Sequence, residues 1–275
     1  MSKVIILGSG AAPGVPALAN GFGDCDPNNE KNIRLRSGTY MEISGVKFLI
    51  DTSPDLRMQL ILSKIRDLDA VFYTHTHADH LHGIDDLREI NRITGRAIEL
   101  FASPSNLEVI KTRFPYLIAE DVGKINPVYR AALHPNTFEY EKEFYYKNLK
   151  VLPIRLLGHN VECSGYIFND GEVVHITDFR EIPESAFKFI KRTPEVLIMP
   201  LTSPKGTRFH AGIDTLIEYA ERINAKKTII THMATESDYA SVAELAANSG
   251  VQNMEPAYDG YSVEWCEANS AAEGF

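Results

Sequence analysis

Short apolar runs rich in β-branched residues recur along the chain, at Val4 to Leu7, Val46 to Ile50, Ala70 to Tyr73, Ile98 to Phe101, Val151 to Ile154, Val173 to Ile176, Val196 to Met199 and Thr228 to Ile230. Runs of this kind, bounded by polar or turn-forming residues, predict strands. Helical spacing fills several gaps. Leu56, Leu60, Ile61 and Lys64 follow Pro54 in the way a proline opens a first helical turn. Leu216, Ile217, Ala220 and Ile223 make an apolar stripe opposite Glu218, Glu221 and Arg222, and Ser241 to Ala247 predicts another helix. Strands in both halves with helices between them predict an α/β (α+β) fold. The expected form is a four-layer αββα sandwich, two sheets face to face with helices outside.

No linker rich in Pro, Gly or Ser divides the chain, and no repeat or low-complexity tract interrupts it before the tail Ala268 to Phe275, so one domain spanning 1–275 is expected. The stretch from Ser9 to Ser37 differs. It is poor in strand signals and holds Pro13, Gly14, Pro16, Gly21, Gly23 and Pro27, which reads as a long loop bordering a site.

Composition narrows the setting. With 275 residues and 44% hydrophobic content, the chain buries a core without staples. Cys25, Cys163 and Cys266 form neither an even set nor a CxxC pair, which fits a reducing cytoplasm. The run Val4-Ile5-Ile6-Leu7 is about half the length of a secretory apolar segment. No stretch approaches the roughly 18 apolar residues of a membrane span, so a soluble, cytoplasmic protein with no membrane partner is expected. Lys plus Arg number 28 against 37 Asp plus Glu, a net charge of -9 that disfavours long polyanions. Small substrates fit this balance, and long nucleic acid does not.

Four candidate ligands, His75, His77, Asp79 and His80, follow the strand Ala70 to Tyr73 directly. Imidazole with carboxylate suits zinc, manganese or iron, and a loop at a strand end turns alternate side chains toward one point. The plain alternative is a solvated histidine loop. Against it, His159, Asp178 and His232 each stand at or just beyond a predicted strand. Five histidines and two aspartates suffice for two divalent ions, and two such ions share a hydroxide and clamp both oxygens of an ester in displacement.

The pattern His75-Thr76-His77-Ala78-Asp79-His80 with its distant partners resembles the metallo-β-lactamase superfamily, from Val4 to about Val263. The resemblance implies that His75, His77 and His159 hold one metal, that Asp79, His80 and His232 hold the other, and that Asp178 bridges them. It implies for Asp51 the orientation of a ligand histidine from behind. A capping aspartate before Pro54 is the alternative.

Asp51-Thr52-Ser53-Pro54-Asp55-Leu56-Arg57, His82-Gly83-Ile84-Asp85-Asp86-Leu87-Arg88 and Gly23-Asp24-Cys25-Asp26-Pro27-Asn28 resemble the phosphodiesterase branch, especially the phosphoribosyl 1,2-cyclic phosphate phosphodiesterases. In that branch a histidine at the place of His210 approaches substrate and acts as general acid on the leaving alkoxide, so His210 and Asp79 are the catalytic candidates. A histidine that packs or caps before the helix Ile213 to Ile223 is the alternative. Arg34, Arg36, Arg57, Arg88 and Arg208 are unranked candidates for phosphate, Arg57 and Arg88 being equally suited to pairing with Asp55 and Asp85. His175 reads as a satisfied core histidine, and His82 as a supporting residue behind a ligand. The chain departs from the branch in having only Cys25 where several cysteines hold a structural zinc, and Thr235 where a further histidine follows the last ligand.

The reading is a phosphodiesterase acting on a small cyclic phosphate or nucleotide-like diester, with two divalent ions (Zn or Mn, with Fe possible) and possible homodimers. Its rivals are a tRNA 3'-processing endonuclease, a thioesterase or lactonase, and a non-catalytic metal-binding accessory protein. The tRNA enzymes carry a long RNA-gripping arm between the counterparts of His159 and Asp178, where this chain has 18 residues, enough for a hairpin.

Overall fold

The computed structural model describes residues 1–121, 126 and 131–266; the tail from Ala268 onward lies outside the described residues. The first half of the chain lays down β1 (Ser2–Gly8), β2 (Gly38–Ile43), β3 (Val46–Ile50), β4 (Ala70–Phe72), β5 (Ile98–Ala102) and β6 (Leu133–Thr137). The second half lays down β7 (Phe144–Tyr146), β8 (Leu149–Leu156), β9 (Cys163–Phe168), β10 (Val173–His175), β11 (Val196–Pro200), β12 (Thr228–Thr231) and β13 (Met254–Pro256) before β14 (Ser262–Trp265) returns to the first sheet. The sheets have seven strands each, in the orders β14-β1-β2-β3-β4-β5-β6 and β13-β12-β11-β10-β9-β8-β7.

Every predicted strand is present. Of the six strands the pattern did not mark, β6, β7, β13 and β14 are the four sheet edges. Edge strands are short and mixed in polarity, because an unpaired edge that read as a clean apolar run would recruit other chains. The other two are β2 and β9, the latter carrying Ser164 and Gly165 in a wholly buried run.

The predicted helices appear as α1 (Leu56–Leu62), α5 (Ile213–Ile223) and α6 (Tyr239–Asn248); α2 (Ala78–Leu81), α3 (Leu87–Thr94) and α4 (Pro104–Arg113) complete the set named here. α4 starts at a legible signal, Ser103 accepting from the Asn106 amide with Pro104 in the first turn.

Aromatic side chains seal the sheets to each other. Phe48 and Phe72 of the first sheet meet Phe168 and Tyr166 of the second, at ring separations of 5.1 and 5.6 Å. The outer face of the first sheet is covered by Leu56, Leu60, Leu87, Ile90, Leu107 and Ile110 from α1, α3 and α4. On the second sheet Leu216, Ala220, Val242 and Ala246 from α5 and α6 do the same. The result is the expected αββα layering.

This arrangement decides where function sits. β3, β4 and β5 run parallel in one sheet and β10, β11, β12 and β13 in the other. Loops beyond the carboxyl ends of parallel strands are where open α/β sheets build their sites. The early loop closes on the same edge. Asp259 accepts from the Ser9 and Leu35 amides at 2.8 and 2.7 Å, pinning its two ends. Gly23, in the left-handed region, lies so close to Thr235 that an added Cβ would come within 2.7 Å of the threonine Cβ.

Among the described residues no helix is long and apolar enough to cross a membrane.

Candidate metal centre

Seven side chains converge at this edge in two groups. Ligand-type atoms of His75, His77, His159 and Asp178 lie within 4.8 Å of one another, as do those of Asp79, His80 and His232. Asp178 stands between them: its Oδ1 is 3.3 Å from His232 Nε2, and its Oδ2 is 3.7 Å from His80 Nε2 and 3.9 Å from His75 Nε2.

The local chain explains the convergence. After β4 the chain bends at Thr74 and reaches His77, which is extended and caps α2, and that single helical turn carries Asp79 and His80. His159 follows Gly158, whose left-handed backbone packs against Arg180, where a Cβ would meet the Arg180 Cβ at 2.3 Å. Asp178 lies just beyond β10, and His232 just beyond β12 with a φ of 56°. A non-glycine residue there is strained and persists only where its surroundings hold it.

Those surroundings begin with Asp51, itself left-handed at φ 64°. Its Oδ2 accepts from His80 Nδ1 at 2.7 Å and from the Thr74 hydroxyl at 2.6 Å, while Oδ1 accepts from the Thr74 amide at 2.8 Å. Thr52, next in sequence, is zipped to the ligand loop: its amide donates to the His80 carbonyl at 2.7 Å and its hydroxyl to the Leu81 carbonyl at 3.0 Å. Gly83 completes the join, for a Cβ there would fall 1.9 Å from the Ser53 carbonyl. The segments Asp51 to Arg57 and His82 to Arg88 are therefore two faces of one contact.

Hydrogen bonds outside the cluster aim the other rings. His159 Nδ1 donates to the Phe209 carbonyl at 3.4 Å, which turns Nε2 toward His77 Nδ1, 3.2 Å away. His232 Nδ1 meets the Thr202 hydroxyl at 3.1 Å, so its Nε2 faces Asp79 and Asp178.

The surroundings act differently on members of the set: burial opposes the charged form of His80, but Asp79 and Asp51 outweigh it and raise its pKa well above the ordinary value. Burial lowers the pKa of His75 well below the ordinary value, with the neighbouring His80 adding to the effect; burial and His159 lower that of His77. Burial opposes ionisation of Asp178 and Asp79, but nearby imidazoles outweigh it and hold both carboxyls far below the usual range. Buried His75 Nε2 and Asp178 Oδ1 make no hydrogen bond. Imidazole nitrogens and carboxylate oxygens aimed at one point, two of them buried without a hydrogen bond, are what a divalent cation fits.

A family model described as the β-lactamase superfamily domain matches residues 47–233. The chain belongs to the metallo-β-lactamase superfamily. It is accordingly a metal-dependent hydrolase, and it is similar to a crystal structure of a diphosphatase from the PhnP family, with a TM-score of 0.82 and 27% identity over 96% of this chain and 98% of that one. A ribonuclease Z of Parabacteroides distasonis is 25% identical, covering 82% of this chain and 79% of that protein. An octanoyltransferase of Porphyromonas gingivalis is 28% identical over 84% of this chain, which spans only 46% of that protein.

Within this superfamily fold the other sequence candidates separate. His210 Nδ1, buried and without a hydrogen bond, lies 3.9 Å from Asp178 Oδ1, and its ring is 5.1 Å from that of His159 and 6.0 Å from that of His232. Its loop is clamped, the His210 carbonyl accepting from the Thr207 amide at 2.9 Å and from Arg180 at 3.2 Å. Arg34 is buried and spent on the Asn32 side chain and the Ser237 carbonyl, both at 2.8 Å, and Arg36 is bound twice by Asp55, at 2.7 and 2.8 Å. Asp55 thus pairs with Arg36 rather than Arg57. Arg57 and Arg88 lie exposed on α1 and α3, and Arg208 lies over the Phe209 ring.

His82 is no supporting residue: it is exposed, its ring 5.9 Å from Phe114. His175 is buried in β10, yet its Nδ1 has no partner, and burial together with the charge of His80 pushes its pKa down to about 3. The Cys25 thiol donates to the Thr235 carbonyl at 3.4 Å, so the early loop is joined to the site by hydrogen bonds at this point. Sequence reasoning missed Thr74, Thr202 and the Phe209 carbonyl. A hydroxyl or carbonyl that orients a ring carries no signal of its own in sequence.

Proposed function

We propose that the chain works as one domain and hydrolyses a small phosphodiester, a cyclic phosphate or nucleotide-like ester. His75, His77 and His159 would hold one divalent ion, Asp79, His80 and His232 a second, and Asp178 would face both. When bound, such ions supply Lewis-acid polarisation of the phosphoryl group and activation of water. Asp51 keeps the imidazole of His80 turned inward. His210, whose Nδ1 lies toward Asp178, delivers a proton to the departing alkoxide.

The observation that carries this reading is the position of His210, held 3.9 Å from Asp178 and flanked by the rings of His159 and His232. A thioester, whose leaving thiolate needs little proton assistance, would not call for it. Similarity to the PhnP-family diphosphatase supports phosphoester chemistry. Protein loaded with Zn or Mn is expected to hydrolyse bis(p-nitrophenyl) phosphate; cleavage of thioesters with none of this diester would overturn the assignment.

The ribonuclease Z relatives favour a second reading, tRNA 3'-end cleavage. Against it stand the net charge of -9 and the segment from His159 to Asp178, which forms the β9–β10 hairpin inside the second sheet. Accurate cleavage of a precursor tRNA at a rate above that of small diesters would favour the second reading.

We further propose a homodimer. α1 buries Leu56 and Leu60 yet also presents Met58, Ile61 and Leu62 to solvent, and Ile61 shares a groove with exposed Ile93 of α3. A surface helix apolar on both sides calls for a cover. The groove between α1 and α3 is rimmed by Arg57, Lys64 and Arg66 on one side and Asp86 and Glu89 on the other, opposite charges that a twofold axis would set against each other. Light scattering is expected to give twice the chain mass, reduced to one by Ile61→Glu; a monomer mass for the unaltered protein at high concentration removes the proposal.

A further inference from the structure

We infer that Thr74 is a positioning residue through which Asp51, already bonded to a histidine of one ligand group, also fixes a histidine of the other. The inference rests on the metal-holding part of the reading above and is independent of the substrate. It follows from counting protons. The Thr74 hydroxyl donates to Asp51 Oδ2 at 2.6 Å and so spends its single proton there. The same oxygen lies 3.0 Å from His75 Nδ1, and with its proton committed it can only accept. His75 therefore carries its proton on Nδ1 and presents Nε2 as a lone pair, the buried atom that makes no hydrogen bond.

Asp51 Oδ2 simultaneously accepts from His80 Nδ1 at 2.7 Å, which leaves His80 Nε2 facing Asp79 and His232. One carboxylate oxygen thus sets the ring orientation of His75 in the first group and of His80 in the second, directly in one case and through a hydroxyl in the other. The relay is rigid. The Thr74 amide donates to Asp51 Oδ1 at 2.8 Å, the Thr74 carbonyl accepts from the Ser164 amide at 2.9 Å across the sheet interface, and Thr74 is fully buried.

Thr74→Val preserves shape and the amide bond while deleting the hydroxyl. His75 Nδ1 then has no acceptor, and nothing favours the proton there over Nε2, where it blocks metal. In zinc titration calorimetry of chelator-stripped full-length protein, Thr74→Val is expected to weaken one of two zinc equivalents by roughly 10–100-fold, the usual effect of losing an outer partner of a ligand. Thr74→Ser is expected to restore it. Nitrogen-15 NMR of the metal-free, unaltered protein is expected to find His75 protonated on Nδ1.

Zinc binding by Thr74→Val indistinguishable from the unaltered protein would overturn the inference, as would His75 protonated on Nε2 in the unaltered protein. The NMR result decides even where the valine variant does not fold. An unaltered protein that binds no zinc removes the metal reading itself, whereas a protein that binds zinc but cleaves no phosphodiester removes only the substrate.

Discussion

Asp178→Ala is expected to abolish hydrolysis and release bound metal, because Asp178 stands between the two histidine groups, 3.3 Å from His232, 3.7 Å from His80 and 3.9 Å from His75. The effect should exceed the roughly 10–100-fold that an outer partner contributes, since a ligand-type atom itself is lost. Elemental analysis after desalting would read below the content of the unaltered protein, and added Zn or Mn would not restore turnover. Asp178→Asn separates charge from shape. It keeps the side chain in place but removes the anion, and with it the charge that offsets the cations, so it is expected to resemble the alanine variant. Full metal content and activity in Asp178→Asn would mean that Asp178 serves packing alone.

His210→Ala should behave differently. It removes no ligand-type atom of either group, so metal content is expected to stay intact. Turnover of a diester with an alkoxide leaving group should fall by about 10²–10⁴, the range a positioned general acid supplies. With p-nitrophenolate as leaving group the fall should be much smaller, because that anion departs without a proton. The comparison between the two esters is the decisive measurement. Equal losses on both would assign His210 to substrate positioning, and unchanged turnover of the alkyl ester would remove its catalytic role.

Much of the fold was legible because buried strands are continuous apolar runs. The runs in β1, β3, β4, β5, β8, β10, β11 and β12 were all marked by pattern, and the four edges β6, β7, β13 and β14 escaped because edges must not look like such runs. The same asymmetry holds at the site. His75, His77, Asp79 and His80 announce themselves through clustering, and His159, Asp178 and His232 through their places after strands. The pairing of Arg36 with Asp55 did not, since Arg36 lies 19 residues from that carboxylate, Arg57 is its near neighbour in sequence, and only the folded backbone brings Arg36 to it.

By itself the sequence determined which groups are available: the imidazoles and carboxylates, their order along the chain, and the alternation of strand and helix that sends parallel strand ends to one edge. Only the tertiary structure decided what each of those groups does. It spent Arg34 and Arg36 inside the fold, sent His82 to the surface, brought His210 beside Asp178 and joined Asp51 through Thr74 to His75. The physical reason is that periodicity and residue type encode burial and secondary structure, which are local properties. Which nitrogen faces the cleft depends on hydrogen bonds between segments as distant as Asp51 and His80, or Thr202 and His232, and these exist only after the two sheets have closed.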